Sequence, residues 1–453
     1  MKQNVLFILV DCLRADKCYG NNRTAKTPNI DSLIKNGIFF SKTIATTTTT
    51  TPSVASIFTG LYTFAHGIRS LHGYKLASDV TTLAEIFKEN GYNTYAEVTG
   101  PLLQSTGLDR GFDSFYHRRF KEYFVGEWGD DFIKKFKKGK FREPWFIFAH
   151  LWELHVPRRI PDRFNNKNFG TNRYDRALSG LDVKLGELLR CIDFDSTVVV
   201  LHGDHGEKIM KNMFIEDLYE FKEYLRWMSR EHLAGLIRKI FQVTKINYEK
   251  LPDFAKPKYH SAIRKPKPFS QLRGHGFNIY DDAIVIPLVI AGHGESFKAN
   301  KMIKVPVRQI DIVPTLIEGL DLRITGNIQC THGRSLMPLI KGDDLPELPA
   351  YCETCGGILA DKKYWKVGIR GEKYKYIYRP YHKDKHEELY DLENDPSEKK
   401  NLIKLKPEIA NHMKKQLVRI SADDRNNIKL VGEQMSEDES MKLAERLRTL
   451  GYI

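Results

Sequence analysis

Continuous apolar runs alternate with amphipathic segments along most of the chain. Asn4–Val10, Pro144–Leu151 and Thr197–Leu201 are short apolar runs of the length expected for buried strands. Thr81–Gly91 and Tyr174–Ile192 place apolar residues at helical spacing between such runs. Because central parallel strands are covered on both faces and are connected by helices, this order predicts an α/β fold. We expect a doubly wound, mainly parallel sheet.

The pattern changes near the C-terminus, where apolar and polar residues alternate. The segment KYWKVGIRGEKYKYIYRP predicts an antiparallel hairpin with its turn at Arg370–Lys373, and a charged helical tail is expected from Lys406. We therefore predict a catalytic domain over residues 1–345 and a smaller C-terminal α+β subdomain over residues 346–453.

Residues 208–273 interrupt the strand–helix rhythm. Basic residues outnumber acidic ones by about two to one in this segment, which favours anionic partners. We interpret it as a basic helical insertion, either a lid that selects the substrate or a solvated excursion with no role in binding.

Composition limits the class of protein. The 453 residues are 41% hydrophobic and 11% aromatic, as in globular proteins, and the formal net charge of +14 favours anionic ligands. Nucleic acid is not expected, because no zinc-finger spacing, RRM signature or heptad-linked basic region is found. The N-terminal apolar run falls far short of the roughly 20 residues of a membrane span and lacks a signal-peptide cleavage site. A cytoplasmic protein is the default expectation.

Polar residues follow the predicted strands directly. Asp11 comes after the first strand, Glu153 and His155 after the second, and Asp204 and His205 after the third. Since open α/β sheets bind ligands at the carboxyl ends of their strands, these groups are expected to gather at one edge. Asp11 is thus a candidate metal ligand, with a helix-capping aspartate as the alternative.

A run of threonines precedes a short apolar segment that ends at Gly60. Unpaired N–H groups and the helix dipole favour an anion at a helix start, and Pro52 suits the first turn. Thr50 or Thr51 is therefore a candidate nucleophile. The alternative is a threonine-rich loop with an ordinary helix cap.

These groups together predict a metal-assisted displacement. Asp11, Asp204 and His205 could hold one divalent cation, with Thr50 as a further ligand whose hydroxyl the cation would activate. Mn²⁺, Mg²⁺, Ca²⁺ and Zn²⁺ all remain open. The donors for a sulfate or phosphate oxygen, or for the leaving group, are His155 and His275.

Two further sets of residues offer metal ligands. Glu153, His155 and His275 could bind a second ion. Cys352 and Cys355, with Cys330 and His332 upstream, could bind zinc, but no second pair of cysteines completes the ligand set, and ordinary reduced thiols are favoured.

Many segments, in order, resemble the sulfatase family of the alkaline phosphatase superfamily. They include VDCLRAD, TTPSVASIFTGLYTFAHGIR, TLAEIFKENGYNTY, LHGDHGE, DIVPTL and ELYDLENDPSEKKNL. The resemblance covers nearly the whole chain. It places the catalytic Cys or Ser position on Thr50, and the metal-binding positions on Asp11, Asp204 and His205. The substrate-contacting positions fall on His155 and His275, and Arg273 beside the latter is assigned to substrate binding.

The chain departs from the family pattern at several positions. Thr50 cannot mature to formylglycine, Val54 replaces the motif arginine, and Cys12 replaces the usual second aspartate of the first strand. Gly100-Pro101-Leu102-Leu103 replaces the G-K-x-H segment. A threonine nucleophile with one such metal group resembles the superfamily's phosphodiesterases and phosphoglycerol or phosphoethanolamine transferases more than its arylsulfatases.

The predicted function is a metal-dependent hydrolase of sulfate or phosphate esters that works through a covalent threonine ester, with phosphoesters and phosphodiesters favoured. Its substrate would be a sulfated or phosphorylated small molecule, glycan or lipid head group. One alternative is a transferase that passes the phospho-group to an acceptor alcohol. Another is a catalytically silent protein that binds an anion or glycan.

Overall fold

The computed structural model describes residues 2–20, 23–119, 122–209, 275–292, 294, 296–297, 300–324, 332–356, 362–382, 386–427 and 433–449. Most of the predicted basic insertion over residues 208–273, together with Arg273, lies outside this range, as does Cys330.

The strands are numbered in chain order. They are β1 (Asn4–Val10), β2 (Ile38–Ile44), β3 (Tyr74–Lys75), β4 (Asn93–Val98), β5 (Ser114–His117), β6 (Trp145–Leu151), β7 (Thr197–Gly203), β8 (Val285–Ala291), β9 (Lys301–Ile303), β10 (Val307–Arg308), β11 (Ala350–Thr354), β12 (Lys366–Arg370), β13 (Tyr374–Tyr378), β14 (Glu387–Asp391) and β15 (Glu433–Gln434).

Helices connect most of these strands. The α-helices are Ala15–Cys18, Pro28–Asn36, Thr50–Thr59, Thr63–His66, Leu83–Glu89, Glu127–Lys137, Arg173–Leu189, Asp281–Ile284, Ile312–Gly319, Met337–Lys341, Pro407–Asn427 and Glu437–Thr449. Short 3₁₀ turns occur at Gln104–Thr106, Asp162–Phe164, Lys167–Phe169, Gln309–Asp311 and Lys362–Tyr364. Of the helices in the described part of the chain, none has both the length and the apolar character needed to cross a membrane.

The central sheet has the order β10-β2-β8-β7-β1-β6-β4-β5, with β9 beside β2. Strand β1 pairs in parallel with both β6 and β7, whereas β8 runs antiparallel to its neighbours β7 and β2. The predicted doubly wound, mainly parallel sheet is confirmed.

The continuous apolar run of β1 is explained by burial on both faces of this sheet. Val5, Phe7 and Leu9 pack into one core, which also contains the helix Leu83–Glu89. The alternate residues of the strand pack into a second core with the helix Arg173–Leu189. Because successive side chains of a strand point to opposite faces, each core receives every second residue.

The C-terminal part forms a separate antiparallel sheet of β11, β12, β13 and β14. The predicted hairpin is present as β12 and β13, and the N–H of Gly371 donates to the carbonyl of Tyr374 at 2.9 Å across its turn. The sheet touches the threonine run, since the N–H of Glu353 donates to the carbonyl of Thr46 at 2.9 Å. The domain boundary at residues 345/346 stays a prediction.

The sequence pattern predicted a helical tail from Lys406, but the structure places a strand within this tail. The helices Pro407–Asn427 and Glu437–Thr449 are separated by β15, which pairs antiparallel with β3. This extended segment satisfies backbone groups of the short strand β3, which a continuous helix could not do.

A buried lysine joins the C-terminal sheet to the segment before β8. Lys375 is fully buried, and its Nζ lies 2.5 Å from Asp281 Oδ1 and 2.6 Å from Glu398 Oε1. We expect Lys375→Ala to lower the free energy of unfolding by about 3–5 kcal/mol, because the buried Glu398 carboxylate loses its cation and Asp281 is left with Arg370.

Lys373 provides the matched control, since its pair with Glu393 is exposed on both sides. Lys373→Ala should cost less than about 1 kcal/mol. Urea denaturation of the two variants measures both values, and equal costs would contradict the role given to Lys375.

Candidate active site

The carboxyl ends of β1 and β7 bring two aspartates together. The N–H of Asp11, directly after β1, donates to the carbonyl of Leu151 at the end of β6 at 2.9 Å. Asp204 follows β7, and both carboxylates are fully buried. The expected gathering of polar groups at this edge is therefore present in the structure.

One hydroxyl of the threonine run faces these carboxylates. Thr50 is the first residue of the helix Thr50–Thr59, and its Oγ1 donates to Asp11 Oδ2 at 3.1 Å and lies 3.5 Å from His205 Nε2. The hydroxyl of Thr51 instead donates to the carbonyl of Pro101 at 3.4 Å. The two threonine hydroxyls thus have different partners, and the Thr50 hydroxyl is the one that faces the carboxylates.

Another threonine of the run holds a neighbouring loop. Thr48 Oγ1 accepts the N–H of Gly276 and donates to the carbonyl of Asn278, both at 3.1 Å. These bonds anchor the segment that carries His275 against the start of the helix. The threonine run therefore provides both the hydroxyl that faces Asp11 and a contact that holds a neighbouring loop.

Asp11, Asp204 and His205 place one ligand atom each within 4.8 Å of one another. Asp204 Oδ1 accepts the N–H groups of Cys12 and His205, at 3.0 and 2.7 Å, whereas the buried Oδ2 has no hydrogen bond among the described residues. His205 Nδ1 lies 2.9 Å from the carbonyl of Gly206, so this nitrogen carries the proton and Nε2 presents a lone pair. An orphaned carboxylate oxygen, a lone pair and the Thr50 hydroxyl fit a divalent cation.

The protonation states of Asp11 and Asp204 depend on each other. Burial and the charge of Asp11 raise the pKa of Asp204. Burial alone would also raise the pKa of Asp11, but a hydrogen bond with His150 and the charges of His155 and His205 outweigh it and lower that pKa. Two carboxylates this close in a buried site resist double ionisation, and a bound cation would relieve their repulsion.

His275 forms an ion pair with Glu207. His275 Nδ1 lies 3.0 Å from Glu207 Oε2. Burial alone would lower the pKa of His275, but the facing carboxylate raises it to about 9. Burial would in turn raise the pKa of Glu207, and the His275 charge lowers it to about 2. At neutral pH the pair is therefore imidazolium and carboxylate.

His155 completes a row of three imidazoles. Its ring stacks on Trp152 at a centroid distance of 4.2 Å and lies 5.1 Å from the ring of His275, which stacks on His205 at 4.5 Å. Burial lowers the pKa of His155 to about 4, so its imidazole is neutral at pH 7. The row thus places the cationic imidazole of His275 against His205, with the neutral imidazole of His155 next to it.

Sequence reasoning missed three supporting residues. They are Glu207, which holds His275; His150, whose Nε2 is 3.5 Å from Asp11 Oδ2; and Gln309, whose Nε2 donates to the carbonyl of Asp204 at 3.0 Å. A signal was present for the first two, because Glu207 ends the LHGDHGE segment and His150 interrupts an apolar strand. Nothing local distinguishes Gln309.

Two predicted alternatives gain no support. Glu153 Oε1 accepts the backbone N–H groups of Phe124 and Val125, and in the described part of the chain neither Glu153 nor His155 joins a metal-ligand group. Cys352 and Cys355 are buried thiols that also join no such group among the described residues, and Cys355 Sγ donates to the carbonyl of Arg69 at 2.6 Å. Arg273 lies outside the described residues.

A buried histidine that contacts the helix Thr50–Thr59 makes stability depend on pH. His66 Nε2 lies 3.0 Å from Ser56 Oγ, and its Nδ1 accepts the N–H of Ile68 at 3.2 Å. Burial lowers the pKa of His66 to about 3. The unfolded chain therefore binds the extra proton between pH 6.5 and 3, and stability falls as the pH is lowered through this window.

We expect His66→Asn to lose this pH dependence. Between pH 7.5 and 5.0, the fall in the free energy of unfolding should be smaller than in wild type by about 2 kcal/mol. His412→Asn, on an exposed position of the helix Pro407–Asn427, is the control and should leave the fall unchanged. Urea denaturation at both pH values measures the difference, and an unaltered fall in His66→Asn would refute the assignment.

Comparisons with known proteins identify the family to which this fold belongs. The family model described as "Sulfatase" matches residues 3–322, and the model described as "N-sulphoglucosamine sulphohydrolase, C-terminal" matches residues 276–423. The chain belongs to the sulfatase family, as its motifs had predicted.

Curated relatives agree with this family. An N-acetylgalactosamine-6-O-sulfatase of Bacteroides thetaiotaomicron is 23% identical, over 92% of each chain. An ulvan-active sulfatase of Formosa agariphila is 38% identical over 52% of this chain, and human arylsulfatase D is 33% identical over 26% of it. The matched region spans 56% of the ulvan-active sulfatase and 23% of arylsulfatase D.

Solved structures share the fold. A phosphonate monoester hydrolase of Agrobacterium radiobacter superposes with a TM-score of 0.66 at 18% identity, covering 93% of this chain and 96% of that one. A 2-O GAG sulfatase gives 0.63 at 18% identity, covering 96% and 95%. At this level of identity the likeness concerns the fold alone.

Proposed function

We propose that the protein is a metal-dependent hydrolase of anionic esters, in which Thr50 attacks sulfur or phosphorus and forms a covalent threonine ester. The observation that carries this proposal is the buried hydrogen bond from Thr50 Oγ1 to Asp11 Oδ2, at the centre of a metal-ligand group. Family membership supports the ester class, and this hydrogen bond supports the choice of nucleophile.

Asp11, Asp204 and His205 would hold the cation, with the Thr50 hydroxyl beside them. A divalent cation bound there would lower the pKa of the hydroxyl and stabilise negative charge on the ester oxygens. His205 is oriented for this role because the Gly206 carbonyl fixes its Nδ1 proton.

In the first half of the reaction, Asp11 Oδ2 orients the Thr50 hydroxyl, whose proton passes to solvent as Thr50 Oγ bonds to the phosphorus or sulfur. The bond to the leaving oxygen breaks, and that oxygen takes a proton from the His275 imidazolium. Glu207 steadies the imidazolium through Nδ1, which leaves Nε2–H as the acid. His155, neutral and buried, would hydrogen-bond an oxygen of the ester.

In the second half, water attacks the covalent threonine ester. His275, now neutral, takes a proton from that water, and Thr50 Oγ leaves and takes up a proton from solvent. The sum is ester plus water to alcohol plus phosphate or sulfate. His275 thereby serves as acid and base in turn.

Phosphorus esters are the favoured substrates. Threonine cannot mature to formylglycine, so release must occur by attack on the threonine ester itself. The family's lysine-containing segment is also absent, since Pro101 stands at the position of its lysine. The named relatives that act on sulfated sugars keep an anionic glycan among the candidates, together with small molecules and lipid head groups.

Turnover of p-nitrophenyl sulfate, phosphate, phosphodiester and phosphonate tests this function. Each ester is assayed with chelator and with added Mn²⁺, Mg²⁺, Ca²⁺ or Zn²⁺. We expect metal-dependent cleavage of the phosphorus esters, with sulfate slow. Sulfate as the best substrate would contradict the phosphorus preference, and no turnover of any ester with metal bound would contradict hydrolysis.

A further inference from the structure

A second group of ligand atoms stands beside the first. Cys12, His205 and His275 each place a ligand atom within 4.8 Å of the others. Cys12 Sγ lies 3.7 Å from His275 Nδ1 and 3.8 Å from Glu207 Oε2, and these two atoms are 3.0 Å apart. In tetrahedral zinc sites the ligand bond lengths place sulfur and nitrogen ligands about 3.5 Å apart. The observed separations are close to this geometry.

The backbone directs the thiol into this group. Cys12 has a φ of 61°, in the left-handed region that residues other than glycine seldom adopt. Its N–H is held by Asp204 Oδ1 at 3.0 Å, and its carbonyl accepts the hydroxyl of Tyr174 at 2.7 Å. A strained conformation fixed by both backbone groups is typical of functional sites.

The two groups of ligand atoms suit different cations. Carboxylate and hydroxyl oxygens suit hard cations such as Mg²⁺ and Mn²⁺, whereas a thiolate with two imidazoles suits Zn²⁺. Both groups use the same nitrogen, because His205 Nδ1 is occupied by the Gly206 carbonyl and only Nε2 has a lone pair. One lone pair binds one cation, so the two groups exclude each other.

We infer that Cys12, His205 and His275, with Glu207 as the fourth ligand, form an inhibitory zinc site that competes with the Asp11–Asp204–His205 group. Binding would release the thiol proton of Cys12 and the proton between His275 and Glu207 to solvent. The inhibitory effect rests on the proposed function, since zinc would remove His205 from the first group and His275 from proton transfer. The binding itself does not depend on turnover.

Cobalt provides a spectroscopic test of binding. The metal-stripped full chain is titrated with Co²⁺, whose bonds to thiolates give a charge-transfer band in the near ultraviolet. We expect one such band per chain, lost on addition of one equivalent of Zn²⁺. The band should be absent in Cys12→Ser and retained in Cys352→Ser, which removes another buried thiol. Asp11→Asn removes a carboxylate of the first group, and its amide oxygen can still accept the Cys12 thiol that Asp11 Oδ1 accepts at 2.8 Å, so this variant should also retain the band.

Two results would overturn the site. One is a wild-type chain that binds Co²⁺ without the band, and the other is a band that persists in Cys12→Ser. If Cys12→Ser does not fold, X-ray absorption at the zinc edge of the wild type decides. One sulfur neighbour at about 2.3 Å supports the site, and a shell of nitrogen and oxygen alone refutes it.

The inhibitory effect has its own measurement. Zn²⁺ should inhibit Mn²⁺-supported ester turnover, and Cys12→Ser should raise the inhibitory Zn²⁺ concentration on the order of 100-fold. An unchanged inhibitory concentration would refute the competition between the groups. If no ester is turned over at all, the proposed function fails, while the cobalt band still decides whether the zinc site exists.

Discussion

Thr50→Ala is expected to lower kcat/KM for phosphorus esters by about 10³-fold or more, as the loss of a nucleophile does in other enzymes of covalent mechanism. The reason is local: Thr50 Oγ1 is the hydroxyl that donates to Asp11 Oδ2 and lies beside His205 Nε2. The alanine variant keeps the helix start, because the Thr50 side chain is not its cap. Steady-state kinetics on the p-nitrophenyl esters measure the loss.

Thr51→Ala is the matched control. It removes a neighbouring hydroxyl whose bond goes to the carbonyl of Pro101, so kcat/KM should fall by less than about 10-fold. Thr50→Ser, which keeps a hydroxyl at the same position, should retain far more activity than Thr50→Ala. Full activity in Thr50→Ala together with loss in Thr51→Ala would show that the reactive threonine has been misassigned.

Asp204→Asn is expected to weaken binding of Mn²⁺ by about 100-fold or more and to lower turnover at limiting metal in parallel. The asparagine oxygen can still accept the N–H groups of Cys12 and His205 that Asp204 Oδ1 accepts. The fold around β7 should therefore persist, while the orphaned, negatively charged Oδ2 is replaced by an amide that repels a cation. Isothermal titration calorimetry measures the affinity.

Asp182→Asn tests whether the effect belongs to the site. Asp182 is also buried and also accepts backbone N–H groups, those of Asn29 and Ile30, but it joins no metal-ligand group in the described part of the chain. Its variant should bind Mn²⁺ as the wild type does. Equal loss of affinity in both variants would mean that general destabilisation, rather than loss of a ligand, explains the result.

The fold follows from sequence where the physical signal is local. The strand β1 is apolar at every position from Val5 to Val10, because both of its faces are covered. Asp11 follows it directly at the edge where ligands are expected to bind. The turn at Arg370–Lys373 is likewise predicted by the alternating apolar and polar residues on both sides of it. The antiparallel direction of β8 has no local signal, since a strand buried within a sheet is apolar whichever way it runs.

The site is predictable only in part. The motifs placed Asp11, Asp204, His205, His155 and His275 near one another and assigned the nucleophile position to Thr50, but the partners of the Thr50 and Thr51 hydroxyls depend on the tertiary structure. The pairing of His275 with Glu207 joins residues 68 positions apart. The left-handed backbone at Cys12 depends on tertiary hydrogen bonds, so the sequence alone does not predict where its thiol lies.

The covalent threonine ester is the central claim, and trapping it is the most direct test. The Mn²⁺-loaded protein is mixed with excess p-nitrophenyl phosphate, quenched in acid within the first turnover, digested and analysed by peptide mass spectrometry. The account predicts one added phosphoryl group on the peptide that contains the threonine run, with fragmentation assigning it to Thr50. Rapid turnover with no adduct there, or with an adduct on a different residue such as His275, would contradict it.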